Sequence, residues 1–427
     1  MQVDFAFGKT GLSVELPEGY DYRLLEARSA EPLPDWRSAF DAALDAPIGR
    51  PPLAEMARGK RSAAISVCDI TRPAPNRLTL PAVLHRLHDG GIGRDGVTIL
   101  IATGLHRPAT ESEIQEIVGP EIASTYRVVN HNARNLSEHR YLGKTSTGTP
   151  VYVDERFAAA DLHITLGFIE PHLMLGYSGA RKLIAPGLAA QETIKVLHSP
   201  RFMRDPRTHE GSIEDNPLHR ELLEIAAMAR HDFIADVALT RKREIAGVFA
   251  GDPVEAHRTG VAFVSRVMLE TLSEPADAVI TTSAGYPLDL TFYQAVKGIT
   301  AAQHIVRPGG RILLLAACEE GPGAPEFREM LASAPPAMDY LKQIEDRPVV
   351  VDQWQLEKLA MVTRKADLFY YVPGLAASFY PSLWGTAYKS PGEALAALTR
   401  GLPRGARIAL IPEGPYVLAK AAEFAGA

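Results

Sequence analysis

The chain has 427 residues, of which 46% are hydrophobic and 22% charged, with a formal net charge of −6. That length exceeds what one hydrophobic core usually supports, so two domains are expected. The mild, scattered negative charge excludes a nucleic-acid or membrane-surface footprint, no apolar run approaches the roughly 20 residues that span a bilayer, and Cys68 and Cys318 alone build neither a disulfide framework nor a zinc site. The opening MQVDFAFGKTGLSVEL has no basic n-region and no apolar h-region, so no signal peptide is expected and the cytoplasm is the expected location.

Apolar runs of strand length alternate with helix-period stretches. Ser62–Cys68 reads as a buried strand, with a helix over Leu78–Gly90. Val97–Ala102 is a second strand, with a helix over Glu111–Val118. Leu162–Gly167 is a third, entering a glycine-rich segment and then a helix over Gln191–Leu197. From His198 to Glu274 the chain reads as charged helix and loop. The pattern restarts with a strand at Ala276–Thr282, a helix over Thr291–Val306, a Pro308-Gly309-Gly310 turn and a strand at Arg311–Ala316. Strands at Ala366–Tyr371 and Arg407–Ile411 and a closing helix over Val417–Phe424 complete it. Such apolar strands, separated by helices, fit parallel sheets buried on both faces. The expected class is α/β: two domains of mostly parallel sheets flanked by helices, with the active site in a cleft between them. The boundary falls near Leu272–Ala276, giving a cofactor-binding and catalytic domain over 1–272, completed by a C-terminal helix over 413–427, and a second α/β domain over 276–412.

Gly91-Ile92-Gly93-Arg94-Asp95-Gly96 matches a dinucleotide fingerprint but precedes a strand, whereas a phosphate loop must follow one and open a helix. It is rejected, and with it a conventional NAD dehydrogenase. Asp69-Ile70-Thr71-Arg72-Pro73 follows the first strand, at the end where open α/β sheets bind ligands. Arg72 there suits a carboxylate or phosphate, although an Asx turn with a structural ion pair fits the local pattern equally. Thr103-Gly104-Leu105-His106-Arg107-Pro108 holds the same place after the second strand and offers His106 as a general base.

After the third strand, Glu170-Pro171-His172 and Gly176-Tyr177-Ser178-Gly179-Ala180-Arg181-Lys182 bring a histidine, two glycines that allow backbone to approach a ligand, and a lysine able to anchor a cofactor covalently. His198 alone is uninformative, and His131 and His139 read as incidental. With no His-Glu-x-x-His motif and no cysteine pair, a metal at His198 must take most of its ligands from elsewhere. Later, Gly285-Tyr286-Pro287-Leu288-Asp289 follows a strand, and Gln294 and Lys297 share a helix face that can grip a carboxylate or simply face solvent. Trp354 reads equally as packing or pocket wall.

Taken in order, these motifs resemble the nickel-dependent lactate racemase family, the LarA-type 2-hydroxy acid racemases and epimerases. The match runs over most of the chain: DITRP, TGLHRP, EPH with GYSGARK, His198, GYPLD and YQAVKG. The resemblance implies two α/β domains and a nickel-pincer nucleotide, a pyridinium mononucleotide binding nickel through S, C and S. It implies that Lys182 holds this group through a thioamide, that His198 is the protein's nickel ligand, and that Asp69, Ile70, Thr71 and Arg72 lie along it. His106 and His172 would be the acid–base pair. Arg72, Gln294, Lys297 and Trp354 would bind substrate. Ala180 stands where the family often has a second glycine, so a small backbone adjustment is expected.

The implied reaction inverts C2 of a small 2-hydroxy acid by hydride transfer through a 2-keto acid, with partner proteins making the cofactor and no role for nucleic acid or membrane. Alternatives are a sugar-acid 2-epimerase on the same scaffold, or a cofactor-free binding protein or hydrolase. Phe168, Arg181, Tyr286 and Tyr293 could shape a pocket for something larger than lactate.

Overall fold

The computed structural model describes residues 1–26 and 28–422. The chain forms two compact units. The N-terminal unit comprises Ser29–Leu197 and Arg207–Val267; the C-terminal unit comprises Met1–Arg28, His198–Pro206 and the chain from Met268 onward. Each holds a six-stranded sheet with helices packed against it, as the apolar strand runs imply.

In the N-terminal unit the strand order is Ile245–Gly251, Phe233–Leu239, Leu162–Phe168, Ala63–Cys68, Val97–Ala102, Arg127–Asn130. All neighbours pair parallel except the antiparallel edge strand Ile245–Gly251. Every residue of Ala63–Cys68 and Leu162–Phe168 is buried, which is why these runs carry no alternation. Ile65, Val67, Ile99 and Ile164 pack with Leu80, Val83 and Leu87 of the helix Asn76–Asp89 into one core.

In the C-terminal unit the order is Thr386–Ala387, Ala366–Tyr371, Val306–Leu315, Ala276–Thr282, Arg407–Ile411, Asp21–Leu24, parallel throughout. Its core joins Val279, Ile312, Leu314 and Tyr370 to Phe292, Val296 and Ile299 of the helix Phe292–Ala302. No described helix is long and apolar enough to cross a membrane.

Several expectations need correction. The closing helix is instead a strand, Leu418–Ala421, paired parallel with Leu269–Leu272; Phe424 lies outside the described residues. Four apolar residues carry too little periodicity to separate helix from strand. Leu269–Leu272 and Leu418–Ala421 both belong to the C-terminal unit, so the division falls at Met268 and the last described strand does not complete the N-terminal unit. Likewise, Asp21–Leu24 pairs with Arg407–Ile411, which takes the first residues into the C-terminal sheet. The stretch read as charged helix and loop contains the strands Phe233–Leu239 and Ile245–Gly251. Pro308-Gly309-Gly310 does not end a segment: the strand Val306–Leu315 runs through it, with a register shift between the pairings at Ala276 and Ala278.

The helix Phe292–Ala302 lies close against the sheet because residue 298 is glycine. A Cβ at Gly298 would stand 2.1 Å from the Thr282 carbonyl oxygen, a backbone atom that cannot swing aside. Gly298→Ala is therefore expected to destabilise the protein by about 1–3 kcal/mol, read as a lowered Tm in thermal unfolding.

Candidate active site

Three of the motifs leave the carboxyl ends of three adjacent parallel strands, Leu162–Phe168, Ala63–Cys68 and Val97–Ala102. Their loops are bonded to one another. His106 Nδ1 lies 2.7 Å from Asp69 Oδ2, the Gly104 amide donates to the Gly187 carbonyl at 3.0 Å, and the Ser66 hydroxyl donates to the Leu183 carbonyl at 2.8 Å. The Asp69 side chain is 5% exposed and that of His106 43%, so a buried carboxylate anchors an exposed imidazole. Asp69 Oδ1 accepts from the Thr71 hydroxyl at 2.8 Å, and Thr71 Oγ1 accepts from Arg72 Nη1 at 3.1 Å. Ile70 packs against the core below.

Burial pushes the Asp69 carboxyl upward. The hydrogen bond and charge of His106, the charge of Arg72 and the Thr71 hydroxyl outweigh burial and hold it below the usual range. With a carboxylate at Nδ1, His106 carries its proton there and leaves the Nε2 lone pair to act as a base. His172 is set the other way. It sits in the two-residue strand Pro171–His172, paired with Gly176–Tyr177, and its Nδ1 accepts from the Met174 and Leu175 amides, each at 3.3 Å. The neutral His172 ring therefore carries its proton on Nε2.

Lys182 lies half-buried in the tight helical turn Ala180–Leu183. The glycines before it make room for the chain and not for a ligand: a Cβ at Gly176 would stand 1.9 Å from the Ser212 carbonyl oxygen, and one at Gly179 2.4 Å from Asp236 Oδ2. Ala180 takes the left-handed conformation that suits glycine, with φ of 44°. Arg181 is fully buried and donates to the Tyr177 and Leu175 carbonyls at 2.9 and 3.2 Å. Phe168 is core.

The remaining candidates belong to the C-terminal unit. His198 is buried, its ring centroid 4.3 Å from that of Trp354. Trp354 is also buried, in the helix Gln353–Val362, and donates its indole N–H to Tyr293 Oη at 3.2 Å. Tyr293, Gln294 and Lys297 are half-buried on the helix Phe292–Ala302, and Gln294 Oε1 is buried with no hydrogen-bond partner. Tyr286 is half exposed, with the Lys9 ammonium 4.8 Å from its ring centroid. His131, read as incidental, is fully buried between Asp154 and the Ala189 carbonyl.

Among the described residues no group of three or more His, Cys, Asp or Glu is arranged to hold a metal ion. A metal at His198 must then arrive with its other ligands, and a group carrying its own sulfur and carbon donors fits that single imidazole. Sequence reasoning missed Asp236 and His257, which contact the Lys182 segment. The one signal for Asp236 was an aspartate inside the apolar run FIADVAL.

Family models described as the lactate racemase N-terminal domain and the lactate racemase C-terminal domain match residues 7–211 and 271–419. The chain is 31% identical to a lactate racemase of Thermoanaerobacterium thermosaccharolyticum over 423 residues, 98% of this chain and 99% of that one. It is 33% identical to a lactate racemase of Lactiplantibacillus plantarum over 391 residues, 90% of this chain and 91% of the other. The solved lactate racemase apoprotein from T. thermosaccharolyticum superposes with a TM-score of 0.91 at 31% identity, covering 98% of this chain and 100% of that one. A solved Thermotoga maritima structure, at 15% identity and a TM-score of 0.69, covers 92% and 99% of the two chains and shares the fold.

The Asp69 network has a pH signature. Its stabilisation is complete above the ordinary aspartate value of 3.8 and is lost as pH falls through the depressed value in the folded protein. Asp69→Asn is expected to cost roughly 1–2 kcal/mol at neutral pH and to flatten the loss of stability on acidification. Urea unfolding at neutral and acid pH checks both.

Proposed function

Given that the chain belongs to the lactate racemase family, we propose that it is an isomerase inverting C2 of a 2-hydroxy acid, with lactate the first substrate to try. The observation that carries this reading is the interlocking of the three motif loops, which joins His106 to a buried carboxylate beside the Lys182 turn.

The family's nickel-pincer nucleotide suits the donors present. Lys182 would hold it through a thioamide, His198 would be the protein's nickel ligand, and Asp69, Ile70, Thr71 and Arg72 would lie along it. When bound, the group supplies a reversible hydride acceptor for the substrate carbon. The chain's own residues handle protons and position. His106, with its lone pair on Nε2, takes the hydroxyl proton as the carbon is oxidised, and Asp69 stabilises the imidazolium that results.

His172 serves the opposite enantiomer, offering an N–H where His106 offers a lone pair. Two such groups are required because the enantiomers present their hydroxyls on different sides. Arg72, Gln294 and Lys297 fix the carboxylate while the planar 2-keto acid presents its other face. Gln294 would meet the carboxylate through its amide N–H groups, while Oε1, buried without a partner, can accept only from a donor such as the substrate hydroxyl. Trp354, tied to Tyr293, braces the His198 ring.

Chiral chromatography of 2-hydroxy acids, from lactate through malate and bulky aliphatic acids to gluconate, tests the reading on protein co-produced with the cofactor-synthesis proteins. Inversion of one member is expected; inversion of gluconate alone makes the enzyme a sugar-acid epimerase. A panel with no inversion, on protein without nickel, overturns the reading. His106→Ala and His172→Ala are each expected to cost about 10²–10⁴-fold in rate, and full racemisation by either variant rejects the two-base mechanism.

A further inference from the structure

The segment carrying Lys182 rests on a buried carboxylate to which none of the roles above is given. Asp236 lies in the strand Phe233–Leu239, opposite Gly167 of the neighbouring strand, and is fully buried. Its Oδ2 accepts from the Ala180 amide at 2.8 Å. That reach exists only because residue 179 is glycine, since a Cβ there would stand 2.4 Å from the same oxygen. The bond holds Ala180 at φ of 44°, the left-handed residue from which the Lys182 turn begins.

Oδ1 makes no hydrogen bond of full geometry, and the Gly167 amide only approaches the carboxylate. Arg181 grips the other polarity of the same backbone, donating to the carbonyls of Leu175 and Tyr177. One buried anion therefore takes an amide and one buried cation takes the carbonyls, and the peptide between them is fixed on both sides.

We propose that Asp236 is the positioning residue for Lys182: its ionised carboxylate holds the Ala180 amide, and so sets the turn that presents the lysine. The proposal rests on the reading of Lys182 as the cofactor anchor. Burial pushes the Asp236 carboxyl up to about 7, against the Ala180 and Gly167 amides and the Arg181 charge. Facing it are Arg181 from the turn and Cys68 from the central strand. The Cys68 thiol is pushed up to about 12 by burial and by Asp69 and Asp236, with Lys182 and Arg72 opposing, and so stays neutral. A neutral acid is a weaker acceptor than a carboxylate. The hold on Ala180 is therefore present above about pH 7 and slackens below it.

The test is acetylation of the cofactor-free protein by acetic acid N-hydroxysuccinimide ester across about pH 5 to 9, with modification of Lys182 measured by peptide mass spectrometry relative to the exposed Lys60. In the native protein the Lys182-to-Lys60 ratio is expected to rise severalfold as pH falls through neutrality, because loosening exposes the amine. Asp236→Asn keeps an acceptor without the titration, so its ratio is flat with pH. Asp236→Leu keeps the branched shape without the acceptor, so its ratio is high throughout.

Native ratios and native pH dependence in both variants overturn the proposal, and a flat profile in the native protein does the same. Intact mass of the cofactor-loaded forms separates the two ideas. If Asp236→Leu takes up the covalent group as fully as the native chain, the positioning role fails while the anchor reading stands. If the labelling follows Asp236 but no form gains covalent mass, the anchor reading fails alone.

Discussion

In a parallel sheet every strand ends at the same edge, and each loop leaving that edge has only its neighbours' loops to meet. This constraint assembles the N-terminal unit's candidate site from residues far apart in the chain. Asp69, His106 and the 170–182 segment follow three strands adjacent in space, so the crossovers deliver them side by side. The bonds from Asp69 to His106, Gly104 to Gly187 and Ser66 to Leu183 then fix what topology has gathered. The C-terminal sheet repeats the arrangement, with Tyr293, Gln294 and Lys297 on the helix that follows its Ala276–Thr282 strand.

Charge is used inside this framework in a consistent way. Three buried charged groups around the candidate site are each matched to groups of opposite polarity, two of them on the backbone of a turn. Arg181 takes carbonyls and Asp236 takes an amide, while Asp69 takes a hydroxyl and an imidazole. Burial drags the Arg181 guanidinium down to about 9, so it stays charged at neutral pH, whereas Asp236 is brought to the edge of neutrality. A loop held by such bonds is stiff without being packed, which suits a segment that must leave side chains accessible.

Much of this was legible in the sequence, for physical reasons. Ala63–Cys68, Val97–Ala102 and Leu162–Phe168 are buried on both faces, so their apolar runs are unbroken and easily seen. The motifs were readable because loops at strand ends carry the polar residues. The strand Phe233–Leu239 escaped because Asp236 interrupts it and charged helices surround it, and the strand Leu418–Ala421 because four residues define no period. The actual work of Gly179 was hidden as well. Glycine shows that space is needed, but the occupant, a carboxylate 57 positions further along, belongs to tertiary structure. The tautomers of His106 and His172 were out of reach for the same reason, since each is set by partners that only folding supplies.

The pairing of Asp21–Leu24 with Arg407–Ile411 bears on how this protein is born. Asp21–Leu24 leaves the ribosome long before Arg407–Ile411, so this edge of the C-terminal sheet waits for a partner made several hundred residues later. Until then the strand's backbone donors have only water or chaperones to satisfy them. The N-terminal unit has all its strands once Ile245–Gly251 has emerged, but His198, made before that strand, belongs to the unit that finishes later. The candidate metal ligand is thus translated before the N-terminal sheet is complete, yet belongs to the unit most of whose strands follow it.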